Sequence, residues 1–252
     1  MTFFRAENLA IQFGGLRAVD GVSFEVREGE VYSIIGPNGA GKTTVFNLIS
    51  RIYDPSAGRV VFQERDITGV PPHRIAGLGI ARTFQNIELF QNSTVLQNLL
   101  LGRHEHRRSN LFSEMLFLPH VRRMEVAHRE KVEEVIEFLG LQHHRESRVS
   151  GLPYGIAKVV ELGRALCTEP KLLLLDEPSS GLNPEESEDM AFWIEDIQKD
   201  LGITVLMVEH NMSLVAEVSD RVLAMNDGRV LAEGTPQEVQ QHEAVIKAYL
   251  GG

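Results

Sequence analysis

The sequence predicts an α/β fold organised around a phosphate-binding loop, and three observations predict it. Residues 36–43 read Gly36-Pro37-Asn38-Gly39-Ala40-Gly41-Lys42-Thr43, a complete G-x-x-x-x-G-K-[ST] pattern. Lys171-Leu172-Leu173-Leu174-Leu175 and Thr204-Val205-Leu206-Met207-Val208 are continuous apolar runs, as parallel strands covered on both faces require. Between the loop and those runs, from about residue 90 to 150, the pattern is helical, rich in Lys, Arg, Glu and His, and without a strand signal.

Short apolar or alternating runs at residues 4–13, 22–26 and 31–35, broken by Gly14-Gly15, Asp20-Gly21 and Glu28-Gly29, predict a β-rich N-terminal subdomain. The last run feeds the phosphate loop, and Thr43-Thr44-Val45-Phe46-Asn47-Leu48-Ile49 leaves it as a helix. Pro55-Ser56-Ala57-Gly58 is a turn, Arg59-Val60-Val61-Phe62 a short strand, and Pro71-Pro72 opens a helix ending near Gly77 or Gly79. Ile80-Ala81-Arg82-Thr83-Phe84-Gln85 reads as a strand edge. The helical insertion is placed at 90–155, with Val132, Val135, Ile136 and Leu139 on one amphipathic face. Asn183-Pro184-Glu185-Glu186 and Thr235-Pro236-Gln237-Glu238 carry the marks of helix N-termini, a capping residue, proline at the first helical position and Glu at the third. The second of them opens a C-terminal helical tail, 235–252, of a single domain spanning 1–252.

The loop solves the problem of holding a nucleotide's polyphosphate in water. Its glycines let the backbone curl so that several N–H groups face one anion, and the following helix adds the positive end of its dipole. Lys42 can reach the β- and γ-phosphates, and the Thr43 hydroxyl can sit on Mg²⁺. The apolar strand ending in Asp176-Glu177 supplies two further acids: the first suits Mg²⁺, and the second can polarise an attacking water. His210 ends the next apolar run, where it can contact the γ-phosphate.

Composition narrows the class. The 252 residues are 43% hydrophobic, enough for a sizeable core, and a formal net charge of −10 argues against nucleic acid and against direct binding to anionic lipid. One cysteine, Cys167, cannot form an internal disulfide and points to a reducing cytoplasm. The N-terminus lacks the form of a secretory signal, and no apolar run approaches the roughly 18 residues of a membrane span, so a membrane role is expected to come through a partner. His104 with His106, and His143 with His144, sit among arginines and read as solvated surface rather than metal ligands. The apolar stretch 111–119 is either a docking surface for a permease helix or a piece that packs back on the insertion.

The order of motifs resembles the ATP-binding subunit of ABC transporters over the whole chain: the loop, Thr83-Phe84-Gln85-Asn86, the helical insertion, Ser150-Gly151-Leu152-Pro153-Tyr154-Gly155, Leu175-Asp176-Glu177-Pro178, Ser180-Gly181-Leu182-Asn183 and Glu209-His210. The resemblance implies an α/β P-loop ATPase, the ABC nucleotide-binding domain, binding ATP and Mg²⁺. It makes Phe13 the aromatic that stacks on adenine, where the residue pattern alone equally allows a core aromatic. It implies Gln85 and Asp176 beside Thr43 on Mg²⁺, Thr44 and Gly155 at the nucleotide, Glu177 as base, His210 as switch and Asn183 at the end of a dimer-contacting loop.

Phe13-Gly14-Gly15-Leu16-Arg17-Ala18-Val19, the run 82–90 and the tail Gly234-Thr235-Pro236…Ala248-Tyr249-Leu250-Gly251 are similar to the branched-chain amino acid importers. The resemblance therefore implies import of a small solute through separate membrane permeases, fed by an extracytoplasmic binding protein, from the cytoplasmic face of the inner membrane. Alternatives that keep the same chemistry are a lipid or lipopolysaccharide exporter and a soluble ABC ATPase outside transport.

One motif departs from the family. Where L-S-G-G-Q is usual, the chain has Leu152-Pro153-Tyr154-Gly155-Ile156, and proline has neither the hydroxyl nor the N–H of the serine it replaces. A hydrogen bond lost to a charged group costs roughly 1.5–3 kcal/mol. Because the family builds each nucleotide site from one subunit's loop and its partner's signature, the defect lands on the partner's site, which favours a heterodimer with a second, different ATP-binding subunit. Tyr154 and the helix dipole at Gly155 are the compensating alternative.

Overall fold

A computed structural model describes residues 2–106 and 119–250. Two units emerge, one from Met1–Gln85 with Lys171–Gly252 and the other from Asn86–Pro170. The sequence expectation set the insertion at 90–155; in the structure the helix that follows residue 153 belongs to the second unit as well.

The first unit carries two sheets. Strands β1 (Thr2–Phe13), β2 (Leu16–Arg27), β4 (Ala57–Phe62) and β5 (Arg65–Asp66) form an antiparallel sheet in the order β2-β1-β4-β5. β2 is longer than the expected 22–26, because its first half carries Arg17, Ala18 and Asp20, which hide the alternation of the apolar positions. The second sheet runs β10-β9-β3-β8-β7-β6, from β3 (Val31–Ile35), β6 (Ile80–Arg82), β7 (Leu172–Asp176), β8 (Thr204–Val208), β9 (Arg221–Asn226) and β10 (Arg229–Gly234). β9 through β6 pair in parallel, and β10 returns antiparallel on β9. β3, β7 and β8 are buried at every position, which is why their sequences are unbroken apolar runs.

The segment after Pro71 forms two 3₁₀ turns, Pro72–Arg74 and Ala76–Leu78, instead of the single helix expected, and closes at Gly79 with φ 94°. Two prolines and Gly77 within so few residues leave too little helix propensity for a continuous α ladder. Helix α1 (Lys42–Ile49) leaves the phosphate loop and buries Val45, Phe46, Leu48 and Ile49. Helices α5 (Pro184–Lys199), α6 (Met212–Val218), α7 (Pro236–Gln240) and α8 (Glu243–Leu250) complete this unit, and Asn183 and Thr235 cap α5 and α7 as their sequences predict.

The second unit is helical: α2 (Val95–Gly102), α3 (Pro119–Phe138) and α4 (Tyr154–Leu166), with one isolated bridge between Thr94 and Arg148. Val132, Ile136 and Leu139 of the predicted face are buried. α2 and α4 cross at small residues; a Cβ on Gly102 would stand 2.4 Å from the Arg164 carbonyl oxygen. The apolar segment 111–118 lies outside the described residues.

Candidate functional site

The site is built at the ends of β3, β7 and β8 in the first unit. The loop that follows β3 is pinned by close backbone approaches that only glycine permits. Gly36 has φ 155°, and a Cβ there would lie 2.3 Å from the Met225 carbonyl oxygen of β9; Gly41, at φ 97°, would meet the Ala18 carbonyl oxygen of β2 at 2.4 Å. The Gly228 amide donates to the Ala40 carbonyl at 3.1 Å, and the Asp20 amide to Gly228 at 2.8 Å, so β2 and the β9–β10 turn brace the loop from outside. Helix α1 starts at Gly41 with no side-chain cap, and its first residues, Lys42, Thr43 and Thr44, line the cavity. That cavity, about 1180 Å³, is lined by Asn38, Gly39, Ala40, Gly41, Lys42, Thr43 and Thr44, by Gln85 and Glu177, and on its far wall by residues 15–18 and 226–231.

Lys42 is buried and folds back along the loop, donating from Nζ to the carbonyls of Gly36 (2.7 Å) and Pro37 (3.1 Å). Burial lowers its pKa, and the carboxylates of Glu177, Asp176 and Glu209 oppose that shift.

Asp176 ends β7, buried, with Oδ2 held by Arg82 NH2 at 2.7 Å and its amide donating to Thr83 Oγ1 at 3.4 Å. Its other oxygen, Oδ1, is buried with no hydrogen-bond partner among the described residues. An orphaned carboxylate oxygen, joined in the set by the Thr43 hydroxyl and the Gln85 side-chain amide, is the chemistry a hard divalent cation takes. Glu177 follows at φ 51°, an unusual backbone setting for a non-glycine residue that costs of order 1–3 kcal/mol. Its amide donates to Val208 O at 2.9 Å, and its Oε2 accepts from Gln85 Nε2 at 2.7 Å and lies 3.8 Å from His210 Nδ1. The structure thus brings Lys42, Thr43, Gln85, Asp176, Glu177 and His210 to one end of one sheet.

Phe13 stands at the end of β1, 44% exposed, edge-on to Tyr53 with ring centroids 5.2 Å apart. That exposure removes the core-aromatic alternative, though Phe13 is not among the residues lining the cavity. Gly155 lies in the second unit, buried in the first turn of α4. Pro153 is the N-cap there, at φ −55° and ψ 150°, and no side chain caps the helix; Lys158 Nζ sits 6.0 Å over the Tyr154 ring. His106 is engaged with the Thr168 carbonyl at 2.9 Å, and no group of three or more metal-binding side chains occurs among the described residues.

Several functional neighbours were silent in the sequence. Arg82 anchors Asp176 while donating to Asn47 Oδ1 (2.8 Å) and Ser50 Oγ (2.7 Å) of α1 and its C-cap. Glu209 is wholly buried beside His210. Burial raises the Tyr249 phenol on α8, while the Gly36 amide donates to its hydroxyl. Arg82 and Tyr249 lie outside the phosphate loop and the acidic strand end, and their partners are distant in the chain, whereas Glu209 stands beside His210 in the sequence with no sign there of its burial.

The family described as ABC transporter matches residues 19–180. The chain belongs to the ABC transporter family. Residues 229–252 match a second family, described as the branched-chain amino acid ATP-binding cassette transporter. The chain is 42% identical over 243 residues to the high-affinity branched-chain amino acid transport ATP-binding protein LivG of Salmonella typhimurium, covering 96% of this chain and 95% of that one. It is 41% identical, with the same coverage, to the corresponding protein BraF of Pseudomonas aeruginosa. Among solved structures, a nucleotide-free ATP-binding cassette from an ABC transporter superimposes with a TM-score of 0.87 at 34% identity, covering all of both chains. The ADP conformation of the cassette MJ1267 does so at 0.86 and 33%. As an ABC ATP-binding subunit, the protein binds ATP, couples its hydrolysis to transport and works with membrane permeases. No described helix is long and apolar enough to cross a membrane itself.

Proposed function

We propose that this ABC ATPase powers import of a small solute, namely branched-chain amino acids, from the cytoplasmic face of the inner membrane, with Glu177 as the general base. The observation that carries the catalytic reading is the setting of Glu177: a strained backbone turns its carboxylate into the loop's cavity, where Gln85 and His210 meet it. From that position Glu177 takes a proton from the attacking water, and His210 orients the water and the γ-phosphate. Lys42 and the uncapped amides of α1 stabilise charge on the transferring phosphoryl group. Phe13 stacks on the adenine, and residues 36–44 wrap the phosphates. Mg²⁺, held by Thr43, Gln85 and Asp176, would neutralise the charge developing on the phosphate oxygens.

Support for the solute comes from the relatives, two of which are named as branched-chain amino acid transport ATP-binding proteins, and from the matching C-terminal family. The same names favour import over a lipid exporter or an ATPase outside transport. Solute choice belongs to the permeases and to an extracytoplasmic binding protein. The unit 86–170, bearing Gly155 and the Pro153 departure, works as an inserted helical subdomain against the nucleotide of a second ATP-binding subunit, and a different partner chain is favoured.

The test is Glu177→Gln in the complex purified from membranes. Retained ATP binding with turnover at least about a hundredfold lower is the expected result. Turnover near the unsubstituted rate removes Glu177 from the role. Two permeases and a second, distinct ATP-binding subunit should copurify; recovery of the chain alone contradicts the transport reading.

A further inference from the structure

Glu209 is a carboxylate with no exposure to solvent and with both oxygens fully employed. Its Oε1 accepts from the Ser179 amide (2.9 Å) and the Ser179 hydroxyl (2.5 Å); its Oε2 accepts from the amides of His210 (2.6 Å) and Asn211 (2.9 Å). Three of these partners are backbone amides, which can only donate, and the fourth is a hydroxyl that donates here, a set that a carboxylate accepts in full. Burying such a charge is costly unless it is fully hydrogen-bonded, so the arrangement holds firmly or not at all.

The two oxygens serve two different loops. Ser179 lies two residues after Glu177, in the turn closed by the Ser180 amide on the Glu177 carbonyl at 3.1 Å. His210 and Asn211 follow β8, and Asn211 goes on to cap α6 through Ser213 and Leu214. Glu209 Oε2 also lies 3.7 Å from His210 Nδ1, matching the 3.8 Å of Glu177 Oε2, so the imidazole nitrogen sits between the two carboxylates. We propose that Glu209 is a positioning residue for hydrolysis: its carboxylate latches the turn that carries Glu177 to the turn that carries His210 and thereby sets the distance between them. The inference rests on the reading that Glu177 and His210 act at the γ-phosphate.

The latch predicts a specific signature. Glu209→Gln keeps the shape of the side chain but presents an NH₂ donor to one of the two loops, releasing it. In the purified transporter, kcat falls about tenfold or more while KM for ATP stays within about twofold, because the phosphate cradle of residues 36–44 is untouched. Ser179→Ala removes the hydroxyl and keeps the amide, and gives a smaller fall, about threefold, in a protein whose melting temperature is close to the parent's; Ser179→Thr restores the rate. The decisive comparison adds His210→Ala. With His210 gone there is no distance left to set, so Glu209→Gln costs less than about twofold in that background.

A kcat within about twofold of the parent for both Glu209→Gln and Ser179→Ala overturns the proposal, as does an equal loss from Glu209→Gln with and without His210. If Glu209→Gln does not fold, the Ser179 pair carries the test alone. Glu177→Gln, run beside them, separates the two ideas. Normal turnover there rejects the base assignment, whereas slow turnover with an indifferent Glu209 rejects only the latch.

Discussion

Six of the described α-helices, α1, α2 and α4 to α7, start in two ways. α2, α5 and α7 open with capping boxes, in which Thr94, Asn183 and Thr235 accept from the third backbone amide while Gln97, Glu186 and Glu238 reach back, and Asn211 does the same service for α6. α1 and α4 open on Gly41 and Pro153, with no side-chain cap at either. A helix start that caps itself has spent its amides on its own stability; one that does not keeps them for a ligand, at a cost of about 1 kcal/mol each. The two bare starts are those that the motif order assigns to phosphate. They differ in turn from each other. α1 is supported by Lys42, buried acids and a braced loop, whereas α4 offers a proline, a half-exposed Tyr154 and backbone alone.

The largest expected effect breaks the first of these starts. Gly41→Ala places a Cβ 2.4 Å from the Ala18 carbonyl oxygen in a backbone conformation that L side chains rarely adopt, so the loop must move off β2. ATP affinity measured by equilibrium dialysis should fall by about a hundredfold or more, equivalent to roughly 3 kcal/mol. Binding within threefold of the parent would mean that the bracing by β2 is incidental. The second start is tested by gain rather than loss. Pro153→Ser returns a hydroxyl and an amide to the start of α4, and turnover of the assembled transporter should rise about tenfold if one charge-assisted hydrogen bond is missing there. An unchanged rate would show that the free amides of α4 already supply the charge and that the two bare starts are equivalent in kind.

What could be read in advance follows from the range of the interactions. The phosphate loop, the Asp176-Glu177 strand end and the capping boxes at Asn183 and Thr235 are contiguous, so each carries its own physical signature in a few residues. The parallel strands β7 and β8 were equally plain, because burial on both faces demands unbroken apolar runs. Arg82 and Ser179 were not, since their partners lie 94 and 30 residues away and neither residue type is unusual at a strand edge or in a turn. Glu209 adjoins His210 in the sequence, yet a glutamate after an apolar strand reads as solvated until the fold encloses it. The first half of β2 escaped because Asp20 accepts from both Arg17 and Arg229 on an exposed edge, which lets charge replace the expected alternation. Those pairings also hold the Asp20 carboxyl below the usual range, with Arg229 the larger cause and Arg17 the next.

The smallest effect should come from a self-capped start, and it is what gives the comparison its meaning. Thr94→Ala removes the side chain that accepts from the Gln97 amide at 3.2 Å, while the Thr94 amide still donates to the Gln97 side chain. The loss should be about 1 kcal/mol, a fall of about 2–4 °C in melting temperature for a chain of this size. KM for ATP should not move, because the Thr94 side chain and amide are both committed within the cap of α2. A stability cost without a binding cost at Thr94, set against a binding cost at Gly41, would separate amides that hold the fold from amides held in reserve for phosphate. A shift in KM at Thr94 would instead mean that the second unit's internal packing reaches the nucleotide, and the division between the two kinds of helix start would then be one of degree.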